Sequence, residues 1–148
     1  MQKSIQSVRQ FHLAMNGPIS SNPTLLACDK DAADSLAKLL SSTAARIASK
    51  SLHDDVLLFR AALALEELAE WLTAHSQQDL VAAADAWADR AYVLFGDAVA
   101  SGMPAPELFS EVHRSNMTKE PSPMVSGKAV KGKNYSPPDL TGLLKRES

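Results

Sequence analysis

Five carboxylates stand out in the middle of the chain: Glu66, Glu67 and Glu70 in the run Glu66-Glu67-Leu68-Ala69-Glu70, then Asp85 and Asp89 in Asp85-Ala86-Trp87-Ala88-Asp89. Grouped carboxylates can hold a hard divalent cation, and a carboxylate whose pKa is raised by its neighbours can take a proton from water. Either use requires the side chains to share a face. Positions i and i+4 do so on a helix, about 6 Å apart along the axis at about 1.5 Å per residue. That groups Glu66 with Glu70 and Asp85 with Asp89. Both segments read as helix, because apolar residues recur at helical spacing: Leu65, Leu68, Ala69 and Leu72 in the first, Ala82, Ala86, Tyr92 and Val93 in the second. The break between them, His75-Ser76-Gln77-Gln78, is short enough to fold the two back as an antiparallel hairpin. In a hairpin symmetric about this break, residues whose numbers sum to about 155 stand at one height. Glu70 then meets Asp85 and Glu66 meets Asp89, with Glu67 beside this acidic square. From Ala61 to Asp89 there are six acids and no Lys or Arg, so the neutralising charge has to come from outside the stretch.

Three uses of the square compete. A solvated charged face is the usual fate of clustered charges, but Glu66 and Glu70 have no Lys or Arg within one turn to relieve their repulsion. A di-iron carboxylate centre needs Glu-x-x-His on two helices, and no Glu stands three residues before His12, His53, His75 or His113. A Mg²⁺ or Mn²⁺ site suits the residues best, since such ions take carboxylate, water and phosphate oxygens.

At 148 residues the chain is expected to be one domain, large enough to bury about 70% of its unfolded surface. A formal charge of −2 argues against a basic nucleic-acid or membrane-surface protein, although residues 111 to 148 carry seven Lys or Arg against four acids. The single cysteine, Cys28, excludes an internal disulfide and fits a reducing compartment. The opening MQKSIQSVRQFH lacks the apolar run of a signal peptide and no segment reads as a membrane span, so the expectation is a cytoplasmic protein.

The elements that must position the acids read as an all-α chain of four main helices and a short fifth. Ser4 to Met15 is a first helix ended by Asn16-Gly17-Pro18. A second starts at Asp29-Lys30-Asp31 and runs to about Ser49. The third begins at Ser51 or His53, with Asp54 and Asp55 as first-turn acids, and reaches about Ala74. The fourth spans about Gln78 to Ala100 and stops at Ser101-Gly102. Pro104 and Pro106 open the short fifth, which fades after Asn116. The stretch 121–148 has four prolines and three glycines and reads as an extended basic arm of the domain formed by 1–120. No strand is expected.

The acids reach a resemblance at this point. Glu66-Glu67-x-x-Glu70 followed by Asp89 on the next helix resembles the all-α nucleoside triphosphate pyrophosphohydrolases, the MazG-like superfamily. Asp85-x-x-x-Asp89-Arg90-Ala91-Tyr92-Val93-Leu94-Phe95-Gly96, Glu111-Val112-His113-Arg114-Ser115-Asn116-Met117-Thr118-Lys119, and Lys131-Gly132-Lys133-Asn134-Tyr135 with Pro137-Pro138-Asp139-Leu140 resemble its phosphoribosyl-ATP pyrophosphohydrolase-like branch more closely. One departure is that the family's Glu-x-x-Asp on the later helix has Ala86 at its first position here, with Asp85 one residue earlier. The resemblance implies cleavage between the α- and β-phosphates of a nucleotide, giving a monophosphate and pyrophosphate. It implies Glu67, Glu70, Asp85 and Asp89 as ligands of Mg²⁺, with Mn²⁺ as the other suitable ion, and Glu66 as a ligand or as the base that orients the attacking water. Arg114, Lys119, Lys128 and Lys131 are then expected to neutralise phosphates, and Asn116, Asn134 and Tyr135 to contact the substrate, the arm closing as a lid from about Ser126 to Leu140. The resemblance also implies a homodimer or dimer of dimers whose helices complete an antiparallel bundle. Neither nucleic acid nor membrane is an expected partner. The competing class is a non-catalytic helical interaction protein that keeps the fold.

Overall fold

The computed structural model describes residues 1–49, 55–125 and 127–145. The chain is all-α. Its helices are α1 (Gln2–Ala14), α2 (Lys30–Ala48), α3 (Val56–Ser76), α4 (Leu80–Ser101), α5 (Ala105–Asn116) and the single turn α6 (Thr141–Leu144). By their internal contacts the residues fall into two units, Asn22–Ser101 and Met1–Ser21 with Gly102–Ser148.

The unit Asn22–Ser101 is built from α2, α3 and α4. Asp29 caps α2 by accepting a hydrogen bond from the Ala32 N–H, and Asp55 caps α3 by accepting one from Leu58. The expected start of α3 at Ser51 or His53, and Asp54 with it, lie outside the described residues. The hairpin turn is tighter than the sequence suggests and lies later, because α3 continues through His75 and Ser76. Gln78 takes a left-handed conformation (φ 60°) and donates to the His75 carbonyl, while Asp79 donates to that of Ala74. These two bonds satisfy the last carbonyls of α3. The Asp79 carboxylate then accepts from the Val81 and Ala82 N–H groups, opening α4 in the next residue.

Two side-chain ties set the helix directions. Ser76 Oγ, at the end of α3, donates to Asp34 Oδ1 near the start of α2, so these helices are antiparallel. Arg60 Nε, near the start of α3, donates to Asp97 Oδ1 at 2.7 Å near the end of α4, and its Nη2 reaches the Val93 carbonyl. Among the described residues of this unit the buried apolar positions are all alanines: Ala33, Ala37 and Ala44 on α2, Ala62, Ala69 and Ala74 on α3, Ala83 and Ala86 on α4. Such small side chains let helices approach closely. Larger side chains such as Leu65, Leu68, Leu72 and Trp71 are only half-buried, and Leu57, Val81, Tyr92 and Val99 are each about four-fifths exposed.

In the second unit α1 ends where Asn16 turns left-handed (φ 55°) and Gly17 donates to the His12 carbonyl at 2.7 Å. The His12 ring lies 2.7 Å from the Pro18 carbonyl, a structural use of that side chain. The arm after α5 contains a two-residue antiparallel ladder, β1 (Glu120–Pro121) with β2 (Ala129–Val130), where the sequence suggested no strand. Pro121 stands at a pair whose N–H positions point away from the partner strand, so its missing N–H costs the ladder nothing, and Ser122 donates to the Lys128 carbonyl at 2.7 Å just beyond it. The arm is also anchored. Gly127 donates to the Met15 carbonyl, Ser115 Oγ to that of Ser136, and the Ser136 and Asp139 N–H groups to Thr118 Oγ1 and Glu111 Oε1.

Candidate active site

Each acid is placed by its helix, and the hairpin brings all five together. Glu67 is their centre. It is half-buried on α3, and its pKa is raised above the ordinary carboxylate value, first by burial and then by the negative charges of Glu70, Asp89, Glu66 and Asp85. One of its oxygens, Oε2, is buried without a hydrogen-bond partner. Glu66, Glu70, Asp85 and Asp89 are exposed around it. The sequence placed Glu67 beside the square of the other four acids; in the structure it is the one of the five that is not exposed, and the charges of the other four act on it.

An unpaired buried carboxylate oxygen facing four more carboxylates is costly unless a cation or proton compensates it. As they stand, among the described residues no three His, Cys, Asp or Glu form a group that could hold a metal ion. The donors nevertheless fit a hard divalent cation. They are all oxygens, one is orphaned, and Glu70, Asp85 and Asp89 have exposed side chains free to turn toward it.

Two arginines flank this acidic stretch, the only Lys or Arg on α3 and α4. Arg60 is spent on Asp97 and the Val93 carbonyl. Gly96 makes room for it, since a Cβ there would overlap the guanidinium. Arg90 takes another course: its guanidinium carbon lies 4.6 Å from the centre of the Trp71 ring. Trp71 is in turn 4.3 Å from the ring of His75, a buried side chain whose Nδ1 is 2.8 Å from the Trp71 carbonyl. Sequence reading missed these roles. The charge pattern could have singled out both arginines as the cations nearest the acids, though not how each is used.

The expected substrate-contacting residues all belong to the other unit. Arg114 makes a bidentate pair with Glu111 at 2.9 and 2.7 Å and donates to Ser136 Oγ and the Pro137 carbonyl. That pair and the Asp139 N–H hold the Glu111 carboxyl down at about 2. Lys119 donates to Asn116 Oδ1 at 2.8 Å, and the Lys131 ammonium lies 4.9 Å from the Tyr135 ring centre. The side chains of Lys128 and Asn134 are exposed.

Among the described residues no helix is long and apolar enough to cross a membrane. No curated protein and no solved structure shows significant similarity to the chain. The phosphoribosyl-ATP pyrophosphohydrolase family model matches residues 30–116, which takes in α2, the acidic hairpin of α3 and α4, and α5. With more than half its length matched and the acids of the hairpin gathered on one side chain, the chain belongs to the phosphoribosyl-ATP pyrophosphohydrolase family.

Proposed function

We propose that this pyrophosphohydrolase cleaves a nucleoside triphosphate or a phosphoribosyl-ATP-like nucleotide between its α- and β-phosphates, with Mg²⁺, or Mn²⁺ in its place, as the required ion. The observation that carries the reading is the orphaned Oε2 of Glu67 in the midst of four other acids. Glu67, Glu70, Asp85 and Asp89 would hold the ion. Once bound, it supplies charge neutralisation and polarisation of a phosphate oxygen. Glu66 stands one residue before Glu67 with an exposed carboxylate, free to accept a proton from the attacking water. Phosphate transfer asks little covalent chemistry of the protein, so positioning and charge do most of the work. Arg114, Asn116, Lys119, Lys128, Lys131, Asn134 and Tyr135 are the proposed contacts to phosphate, base and ribose in the assembled protein, which we place in the cytoplasm.

The assembly we propose is a homodimer or a dimer of dimers. The chain buries alanines and leaves large apolar side chains, among them Leu57, Val81, Tyr92 and Val99, about four-fifths exposed, and obligate dimers cover such side chains with their own copies.

The test is a panel of nucleoside triphosphates, their deoxy forms and phosphoribosyl-ATP, assayed for pyrophosphate release with Mg²⁺ and with excess chelator. Release from at least one substrate that stops on chelation, and is lost in Glu70→Gln without loss of helix content, is the expected result. Full activity in chelator, or in Glu70→Gln, would overturn the metal site.

A further inference from the structure

We infer that Arg90 is a phosphate-binding residue, held over the Trp71 ring to take the oxygens of the substrate's polyphosphate chain. This rests on the pyrophosphohydrolase reading and adds to it a cation that belongs to the acidic hairpin itself. Arg90 follows Asp89 directly and stands five residues after Asp85, yet among the described residues it makes no ion pair or hydrogen bond. An arginine beside acids ordinarily pairs with them, and Arg60 on the facing helix does so with Asp97. Arg90 instead lays the guanidinium on the Trp71 ring. A cation–π contact uses the charge and not the N–H groups, so the five donors of the guanidinium stay uncommitted, in the fork geometry that fits two oxygens of a phosphate.

The platform under it is fixed. Trp71 is braced by the buried ring of His75, whose Nδ1 is hydrogen-bonded to the Trp71 carbonyl, so the cation sits on a surface that does not have to be ordered on binding. Trp71 also stands one turn after Glu67 on the same helix face. The bare fork therefore flanks the carboxylate cluster. A free carboxylate ligand would meet five negative side chains there, whereas a polyphosphate arrives with its own divalent cation. The ligand chemistry is thus a metal-complexed di- or triphosphate.

The experiment is calorimetric titration of inorganic pyrophosphate, with Mg²⁺ present, into the full-length wild-type chain and into Arg90→Met, Arg90→Lys and Arg90→Ala. Methionine keeps apolar cover on Trp71 without donors, so it separates a binding role from packing. The expected result is pyrophosphate affinity weakened about 10–100-fold in Arg90→Met and Arg90→Ala and less in Arg90→Lys, with the melting temperature of Arg90→Met near wild type. Mn²⁺ affinity measured without pyrophosphate should not fall, because Arg90 is no ligand. In turnover, KM should rise more than kcat falls. Wild-type pyrophosphate affinity in Arg90→Met overturns the inference while leaving the pyrophosphohydrolase reading intact. A wild-type chain that neither binds pyrophosphate nor releases it from any nucleotide overturns both.

Discussion

Glu67 is the most enclosed of the five acids of the hairpin, and its raised pKa has a definite sign. A carboxyl whose folded-state pKa lies above its ordinary value near 4.5 leaves the fold undisturbed below that pH. As the pH rises through the raised value, the folded chain must bear an ionised carboxylate that burial and four like charges disfavour. Glu67→Gln is therefore expected to melt higher than wild type at neutral pH without metal, with the difference closing below about pH 4.5. Divalent cations should reverse the order, stabilising wild type and leaving the variant nearly unmoved. Thermal melts with and without Mg²⁺ across this pH range check both halves. Equal melting temperatures in chelator would show that Glu67 carries no such penalty.

Between α3 and α4 the informative position is Gly96. A glycine in the middle of an exposed helix costs about 1 kcal/mol relative to alanine, so Gly96→Ala ought to stabilise the protein by that much. Here the new methyl group would displace the Arg60 guanidinium from Asp97 and the Val93 carbonyl. Hydrogen bonds to a charged group contribute about 1.5–3 kcal/mol each, discounted because Asp97 is partly exposed. The loss should win narrowly, with Gly96→Ala destabilising by about 0.5–1 kcal/mol. In an Arg60→Met background the same substitution should stabilise by about 1 kcal/mol, since only the propensity gain is left. Urea unfolding of the wild type and the three variants measures the sign change, and a gain in both backgrounds would mean that Arg60 makes room at no cost.

On α5 the arm is held by a carboxylate, and acid should release it. Glu111 has its pKa lowered to about 2 by the hydrogen bonds from Arg114 and from the Asp139 N–H. Its contribution is present above the ordinary value near 4.5 and is lost as pH falls through about 2. The protection of the Asp139 amide against hydrogen exchange, its intrinsic rate relative to the observed rate at each pH, should fall across that window, and Glu111→Gln should show the lower protection already at pH 7. An amide whose protection is the same in both proteins would place the anchoring elsewhere, in Ser115, Thr118 and Ser136.

For the whole molecule the decisive feature is the mismatch between its small buried residues and its large exposed ones. Alanine burial removes little apolar area from water, at roughly 25 cal/mol per Å², while Leu57, Val81, Tyr92 and Val99 are left outside and Leu65, Leu68, Leu72 and Trp71 are only half-buried. The proposed assembly resolves this by covering them with another copy. Sedimentation should give a multiple of the chain mass at micromolar concentration, and Tyr92→Glu with Val99→Glu should lower that mass or drive aggregation. A wild-type chain that sediments as a stable monomer would remove the dimer from the proposal.

The sequence alone determined that the chain is all-α, that α3 and α4 form an antiparallel hairpin, and that five acids meet on it. Those follow from local spacing: i and i+4 share a face, and a short turn sets which residues stand at equal height. Height is not rotation, however. How far each helix turns about its own axis is decided by the alanines at the interface, and that rotation made Glu67 the central acid. It likewise sent Arg60 to Asp97 and Arg90 to Trp71, two arginines that look alike in the sequence. The anchoring of the arm on α5 was hidden for a related reason. Its bonds join Ser115, Thr118 and Glu111 to residues about twenty or more positions away, and no periodicity records a partner at that separation.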